Sequence, residues 1–192
     1  MWFTEVKAKA KRKNQILFSK DSLLLTDLCQ LIAQANRRAL ILWALELAEE
    51  TARELAEKYP EDPRPREAIA ASRAWASGEI KMPIAKREIL NCHAMAKELT
   101  NPADIARCHA VGQACSVVHT AGHALGYPMY ELTAIVLDLG LEDCRDPVEQ
   151  RVMYYEQRLR YWMEYEKTCQ LNWAGFLKKD VTKRGNSPHI HN

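Results

Sequence analysis

The sequence predicts an all-α protein, a single-domain bundle of six or seven helices with a long aromatic C-terminal helix. No segment alternates apolar and polar residues between Asn-Gly or Asp-Gly turns, which is the pattern of β-hairpins. The chain has only 7 glycines in 192 residues. Every proline except Pro188 stands where a stretch of helical periodicity begins or ends. Proline is favoured in the first helical turn and breaks a helix interior, so this placement predicts helix boundaries.

A capping residue or a proline bounds each predicted helix. The predicted helices span residues 26–35, 37–59, 63–78, 83–99, 102–125, 128–140 and 147–171. Thr26 or Asp27 caps the first and Asn36 caps the second, because short polar side chains accept bonds from the free N–H groups of a helix start. In the second helix, apolar residues recur at three- and four-residue steps, which predicts one buried face.

The middle helices open at prolines. In the loop YPEDPRPRE, Asp62 is the predicted N-cap of the third helix and Pro63 its first residue, a position that needs no N–H group. Pro83 opens the fourth helix and Asn101-Pro102 the fifth. The connections are short, so we expect consecutive helices to pack as antiparallel neighbours.

The last two helices begin at Pro128 and at Asp146-Pro147, and Gly140 ends the first of them. The apolar residues of the last helix follow alternating four- and three-residue steps, interrupted by Glu166, as in a coiled-coil seam. They are Val148, Val152, Tyr155, Leu159, Trp162, Cys169 and Trp173. This helix is predicted to pack on its own bundle or on another chain.

Charge is distributed unevenly along the chain. Residues 1–20 carry six basic side chains against Glu5, and residues 178–192 carry four against Asp180. The total of +2 therefore leaves −6 for residues 21–177. We interpret the ends as a basic N-terminal arm and a loose basic C-terminal tail around one helical domain. Nucleic-acid binding through these ends is a weaker hypothesis, which predicts affinity that falls steeply with salt.

The composition predicts a cytoplasmic protein. The N-terminus lacks an apolar segment followed by a small-residue cleavage site. The most apolar run, residues 39–48, is about half of the roughly 20 residues that span a bilayer. None of the 6 cysteines forms a Cys-x-x-Cys pair, which favours free thiols in a reducing compartment.

The stretch CHAVGQACSVVHTAGHALG, residues 108–126, concentrates cysteine and histidine. On a continuous helix over 102–125, an apolar stripe would carry several of these residues. Its members are Cys108, Gly112, Cys115, His119 and Gly122, with His123 at its margin. We expect the thiols and the His119 imidazole to fill the core, and the glycines to allow close approach of a partner helix.

Metal binding is the alternative for this stretch. His119 and His123 are four residues apart, like the helical histidine pair of many zinc sites. Thr120 stands where the metalloprotease motif requires glutamate. Cys92-His93 is predicted to lie level with Cys108-His109, roughly 16 Å along the helix axis from His119. One ion could therefore not be shared between His119 and His93.

No complete catalytic constellation is present, and no cofactor is predicted. Glu46, Glu49 and Glu50 lack the Glu-x-x-His pairs of carboxylate-bridged metal bundles, so we expect them to form a solvated face. The sequence also has no glycine-rich phosphate loop and no nucleophile elbow. These absences favour a non-enzymatic protein.

The last long helix carries the candidate protein-contact surface. Tyr154, Tyr161 and Tyr165 lie off its apolar seam, beside Arg158. Tyrosine and arginine are enriched at binding hot spots. We therefore predict a protein partner at this surface, with a homodimer through the same helix as a second use.

Three stretches between residues 37 and 132 are distinctive. They are RALILWALELAEE, YPEDPRPREAIAASRAWASGEI with the following AKREILNCHAMAKEL, and VVHTAGHALGYPMYEL. They resemble the immunity-5-like putative immunity protein family of bacterial polymorphic toxin systems. The resemblance implies an all-helical protein that neutralises a toxin domain by direct binding, and it brings no catalytic residues. Cys108 and Cys115 stand where the family is expected to have alanine.

Two functions therefore follow from the sequence. The first is a non-enzymatic protein that neutralises a cognate toxin by binding it. The second is a metal-dependent enzyme or metal sensor that uses His119 and His123, or the Cys92-His93 and Cys108-His109 pairs. The net charge of −6 on residues 21–177 is too small for mimicry of nucleic acid. It therefore gives no reason to expect a toxin with nuclease activity.

Overall fold

The computed structural model describes residues 2–178, which fold into helices without any strand. The helices are α1 (Trp2–Lys11), α2 (Thr26–Gln34), α3 (Arg37–Lys58), α4 (Arg64–Ser77), α5 (Met82–Met95), α6 (Pro102–Ser116), α7 (Gly126–Asp143), α8 (Arg145–Tyr165) and the single turn α9 (Gly175–Lys178). The predicted all-α class is confirmed, and each of the seven predicted helices has a counterpart in α2 to α8. The predicted basic tail after Lys178 lies outside the described residues.

Helix α6 lies at the centre of the bundle, where it contacts α3, α4, α5 and α7. Helix α3 also packs on α8, which contacts α2 and α7. One continuous core of apolar side chains runs through these contacts. Within the described part of the chain, no helix combines the length and the apolar character that crossing a membrane requires.

Asparagine side chains cap α3, as predicted for Asn36, and α6, which was predicted to open at Asn101-Pro102. The Asn36 side chain accepts a hydrogen bond from the Ala39 N–H, 2.9 Å away. Asn101 accepts from the N–H groups of Ala103 and Asp104 at the start of α6. These bonds satisfy donors that a helix start otherwise leaves free. Local polar side chains thus decide where α3 and α6 begin.

Several helix bounds differ from the prediction by one to four residues, among them the start of α4 and the end of α7. Helix α4 starts at Arg64 rather than at Pro63, and Asp62 accepts from the Arg64 N–H. Helix α7 continues to Asp143 but is interrupted at Gly140, which has φ 77° and ψ 169°. A backbone with this positive φ strains any residue except glycine. Gly140, the predicted end of this helix, is therefore a break within α7.

The predicted N-terminal arm, residues 1–20, contributes to the core. Val6 of α1 is 1% exposed and Phe18 is 2% exposed, and both belong to the common core. The indole N–H of Trp2 donates to Glu149 of α8, 3.0 Å away. The basic side chains of α1 therefore lie on a helix that packs on the bundle.

Helix α6 ends at Ser116, so the prediction of a single helix over 102–125 is wrong. The Ser116 hydroxyl donates to the Gly112 carbonyl at 2.8 Å, a local bond that competes with helix geometry. Thr120 is extended (φ −151°, ψ 137°) and its hydroxyl accepts from the Gly122 N–H. Serine, threonine and glycine in this short stretch therefore favour a turn over a continuation of the helix.

A long-range contact stabilises this early end. The Arg37 guanidinium, at the start of α3, donates to the carbonyls of Val118 and His119 at 2.6 Å each. Two backbone carbonyls of the turn that follows α6 thereby receive hydrogen-bond donors. Because Arg37 is about eighty positions away in the chain, periodicity within the stretch cannot indicate this contact.

Helix α8 ends at Tyr165, short of the predicted Leu171. Glu166, which interrupts the apolar seam, is 5% exposed. It pairs with Arg38 at 2.6 Å and accepts from the Asn36 side-chain amide at 2.9 Å. The seam is thus broken by a buried carboxylate that binds the start of α3. Beyond it the chain crosses to α4, where the Ala174 N–H donates to the Ala76 carbonyl.

Candidate functional site

The four predicted contact residues lie together on one stripe of α8. Steps of four, three and four residues place Tyr154, Arg158, Tyr161 and Tyr165 on the same side of a helix. Tyr161 and Tyr165 are 42% and 44% exposed, and their rings stack with centroids 5.5 Å apart. The Arg158 guanidinium lies 4.2 Å from the Tyr161 ring centroid. We call these four residues the α8 surface; their role in binding stays a prediction.

Carboxylates of α3 hold the inner edge of the α8 surface. Glu46 accepts two hydrogen bonds from Arg158, at 2.6 and 3.1 Å, and one from the Trp162 indole N–H. Glu50 accepts from the Tyr154 hydroxyl. The prediction of a solvated glutamate face is therefore wrong for Glu46 and Glu50, although Glu49 is exposed. Glu46 and Glu50 are four residues apart, as are Tyr154 and Arg158. This matching spacing was the sequence signal for these contacts.

These contacts also set the protonation states of Tyr154 and Arg158 in the α8 surface. Burial, followed by the hydrogen bond to Glu50, raises the pKa of Tyr154 to about 12. The hydrogen bonds to Glu46 raise the pKa of Arg158. Tyr154 is therefore neutral and Arg158 charged at pH 7. The inner edge of the surface presents one fixed cation whose charge is balanced by Glu46.

A buried polar cluster lies directly beneath this surface, between α3, α7 and α8. Arg151 donates to both carboxylate oxygens of Glu131, at 2.7 and 3.0 Å, and to Glu50 at 2.9 Å. The hydroxyl of Tyr155 also donates to Glu131. Burial acts to lower the pKa of Arg151, but the charge of Glu131, its hydrogen bonds with Arg151 and the nearby tyrosines together raise the pKa. The cluster anchors α8 to its neighbours.

A cleft of about 440 Å³ opens beside Tyr154, between α6, α7 and α8. Leu139 and Pro147 form part of its wall, and Leu139 is 44% exposed. Arg107 at its base is paired with Asp138 and with carboxylates on α3 and α6. The cleft therefore extends the α8 surface with an apolar wall, which helix periodicity alone did not reveal.

The buried thiols behave as the sequence predicts. Cys108 and Cys115 are 0% exposed within the core. Burial raises the pKa of each thiol to about 12. A protonated thiol without solvent access is a poor nucleophile. Both cysteines therefore act as small apolar residues, in agreement with their expected substitution for alanine.

His119 and His123 do not form a helical pair. Both follow the end of α6, and His119 is exposed rather than part of a buried stripe. The His119 ring stacks on Trp75 with centroids 6.1 Å apart. His123 is half-buried, with its Nδ1 atom 2.9 Å from the Gln113 side-chain oxygen. Gly122 is exposed, so its predicted role in a helix crossing is also wrong.

Cys92 and His93 of α5 lie level with Cys108 and His109 of α6, as predicted. The Cys92 thiol lies 3.5 Å from the Cys108 carbonyl, and the Nδ1 atoms of His93 and His109 are 2.9 Å apart. No group of three or more histidine, cysteine, aspartate or glutamate side chains in residues 2–178 is arranged to hold a metal ion. The contacts between these pairs therefore stabilise the packing of α5 on α6.

A cavity of about 330 Å³ brings three histidines together. His93 of α5 lines it with His119 and His123, although the sequence placed His93 far from His119. The reason is the early end of α6, after which the chain turns back beside α5. We call this the histidine cavity. Sequence reasoning missed it because it assumed a continuous helix.

Gly112 permits the close contact between α5 and α6. A Cβ atom at this position would lie 2.4 Å from the Cε1 and Nε2 atoms of His93. Overpacking costs about 1–3 kcal/mol, more than the roughly 1 kcal/mol that alanine gains over glycine in a helix. We expect Gly112→Ala to lower the free energy of unfolding by up to about 2 kcal/mol, measured by urea denaturation.

Gly122→Ala is the matched control for this substitution. Its Cβ would meet only the Thr120 hydroxyl, 3.7 Å away, and a surface change of this kind stays within about 0.5 kcal/mol. Equal unfolding midpoints for Gly112→Ala and the wild type would contradict the close packing of His93 on α6.

The histidine cavity should make stability depend on pH. Burial, followed by the charges of His109 and His123, lowers the pKa of His93 from 6.5 to about 4. The unfolded chain therefore binds a proton between these values that the folded protein excludes. This contribution to stability is complete above pH 6.5 and is lost as the pH falls towards 4.

Urea midpoints at pH 7 and pH 5 should therefore differ more for the wild type than for His93→Gln. An equal difference in both proteins would show that His93 does not carry this dependence.

Comparison with known proteins gives one match. A family model described as "Imm-5 like putative immunity protein" matches residues 30–158. This range includes the histidine cavity, Tyr154 and Arg158, and ends before Tyr161. No curated protein and no solved structure matches the chain.

Proposed function

Because the chain belongs to the Imm-5-like family of putative immunity proteins, we propose that it neutralises a bacterial toxin by binding the toxin domain directly, without catalysing a reaction. Immunity proteins of this kind need a surface that recognises one partner, and the α8 surface is our candidate. It is formed by Tyr154, Arg158, Tyr161 and Tyr165, with the cleft beside Tyr154 as its extension.

One observation carries this proposal: exposed aromatic side chains on α8 are already held in place. Tyr161 stacks between the Arg158 guanidinium and the Tyr165 ring, and Arg158 is bonded to Glu46. Ordering such side chains on binding normally costs free energy, and side chains that are ordered before binding reduce this cost. Large aromatic residues that are exposed and rigid are well suited to become binding hot spots.

We place this function in the cytoplasm. All 6 cysteines are free thiols, at residues 29, 92, 108, 115, 144 and 169. Free thiols persist in a reducing compartment. A cytoplasmic immunity protein would protect the cell that produces it from toxin that is made there or that enters from a neighbour.

The test uses any toxin domain that the open reading frames next to the gene for this protein encode. We expect the wild-type chain to restore growth when both are expressed, and to form a complex with the purified toxin. The double variant Tyr161→Ala/Tyr165→Ala should lose about 2 kcal/mol or more of binding free energy, roughly thirtyfold in Kd. Calorimetric titration measures this change. Ile84→Ala on α5, which removes a side chain that is 45% exposed, is the matched control and should bind as the wild type does.

Two outcomes would overturn the assignment of this surface. The toxin could bind the double variant with wild-type affinity, which would place recognition elsewhere on the chain. Alternatively, light scattering could show a wild-type dimer that dissociates in the double variant. The α8 surface would then serve the homodimer that the sequence also suggested.

A further inference from the structure

The histidine cavity has no role in the function proposed above. Side chains from α4, α5, α6 and the turn after α6 form its walls. Its volume of about 330 Å³ lies within the range of small-molecule sites, about 300–1,000 Å³. The phrase HTAGH, which is among the distinctive parts of the sequence, supplies one of these walls.

One side of the cavity is apolar and flat. Trp75 and Ile89 line it and are 8% and 7% exposed. Leu90, at the edge, is 55% exposed. The His119 ring stacks on Trp75 with an angle of 27° between the planes. A planar ring could pack against these groups, because offset stacking favours parallel aromatic surfaces.

The other side is polar and carries little charge. Lys86 lines the cavity, and it forms no ion pair among residues 2–178. No aspartate or glutamate lines the cavity. The lowered pKa values of His93 and His123 leave both imidazoles uncharged at pH 7. The lysine charge therefore has no counter-charge within the cavity.

The Gln113 side chain, which also lines the cavity, adds a hydrogen-bond donor. Its oxygen is 2.9 Å from the His123 Nδ1 atom, which leaves the amide N–H groups to donate. One lysine and one amide match a carboxylate, which has one negative charge and accepts several hydrogen bonds. A phosphate monoester carries nearly two charges at pH 7, more than Lys86 balances.

We propose that the histidine cavity binds a small carboxylic acid carried on a planar aromatic group. The ring packs against Trp75 and His119, and the carboxylate reaches Lys86 and the Gln113 amide. This site is separate from the α8 surface, so the inference does not depend on toxin binding.

Phenylacetate is the probe for this proposal, and phenylacetamide is its uncharged counterpart. The full chain, labelled at histidine, is titrated while the imidazole signals are followed by NMR. We expect saturable shifts with phenylacetate and about tenfold or greater weakening with phenylacetamide, because a hydrogen bond to a charged group contributes about 1.5–3 kcal/mol. Acetate and inorganic phosphate should bind more weakly than phenylacetate, since neither has a ring.

Variants of exposed residues test the two halves of the site without disturbing the fold. Lys86→Met should weaken phenylacetate about tenfold or more and leave phenylacetamide unchanged, whereas Lys97→Met, an exposed lysine outside the cavity, should change neither. His119→Ala should weaken both ligands. The proposal is wrong if no carboxylate gives saturable shifts, if phenylacetamide binds equally well, if phosphate or acetate binds as tightly as phenylacetate, or if Lys86→Met has no effect.

Discussion

Replacement of Arg151 with methionine is expected to destabilise the protein by about 3–5 kcal/mol, because it leaves a buried carboxylate without its cation. Glu131 has a side chain that is only 7% exposed, and Arg151 binds both of its carboxylate oxygens. The same arginine also holds Glu50 of α3. Its loss therefore removes the ionic contacts that Glu131 of α7 and Glu50 of α3 make with α8. Urea denaturation followed by circular dichroism measures the change in the free energy of unfolding.

Two further variants show whether the unpaired charge is the cause. Arg151→Met combined with Glu131→Gln should be less destabilised than the sum of the single variants, since the charge left behind is then removed. Arg87→Met removes an arginine that is 70% exposed and pairs with Glu88, so it should cost no more than about 1 kcal/mol. A cost for Arg151→Met as small as that of Arg87→Met would contradict the role of the buried cluster.

Truncation of Trp43 to alanine should have an effect of similar size, about 3–5 kcal/mol. Trp43 is the largest side chain of α3 and is 0% exposed. Its ring packs edge-on against Tyr155, and its indole N–H donates to the Tyr155 carbonyl at 3.0 Å. The variant leaves a cavity between α3 and α8 and removes that hydrogen bond. The midpoint of thermal or urea unfolding should fall accordingly.

Leu23→Ala is the control for this truncation, because Leu23 is 66% exposed and its change should stay within about 0.5 kcal/mol. Trp43→Phe should fall between the two, since phenylalanine keeps most of the apolar volume but cannot donate to Tyr155. If Trp43→Ala unfolded at the wild-type midpoint, the packing of α3 on α8 would be looser than the structure indicates.

Local signals explain which parts of the fold the sequence predicted well. Asn36 was identified as a cap, and Asn101-Pro102 as a helix start, because the bonds that the two asparagines make are to residues two or three positions away. The burial of Cys108 and Cys115 followed from their positions on one face of α6. The stripe of Tyr154, Arg158, Tyr161 and Tyr165 followed in the same way from helix geometry.

Long-range contacts explain where the prediction failed. The end of α6 at Ser116 is stabilised by Arg37, from the start of another helix. The expected position of His119 on a buried stripe was therefore wrong, and so was its separation from His93. The half-buried position of Glu46 depends on Arg158, which is more than one hundred positions away.

The sequence by itself determined the helical class, the seven helices from α2 to α8, the Asn36 cap and the side of α8 that carries the tyrosines. Each of these depends on bonds within a turn or on apolar spacing, so neighbouring residues contain the information. Only the tertiary structure decided that α3 carboxylates hold the α8 surface and that three histidines share one cavity. Those arrangements arise when separate helices pack, because a side chain's partners across an interface depend on the path of the whole chain.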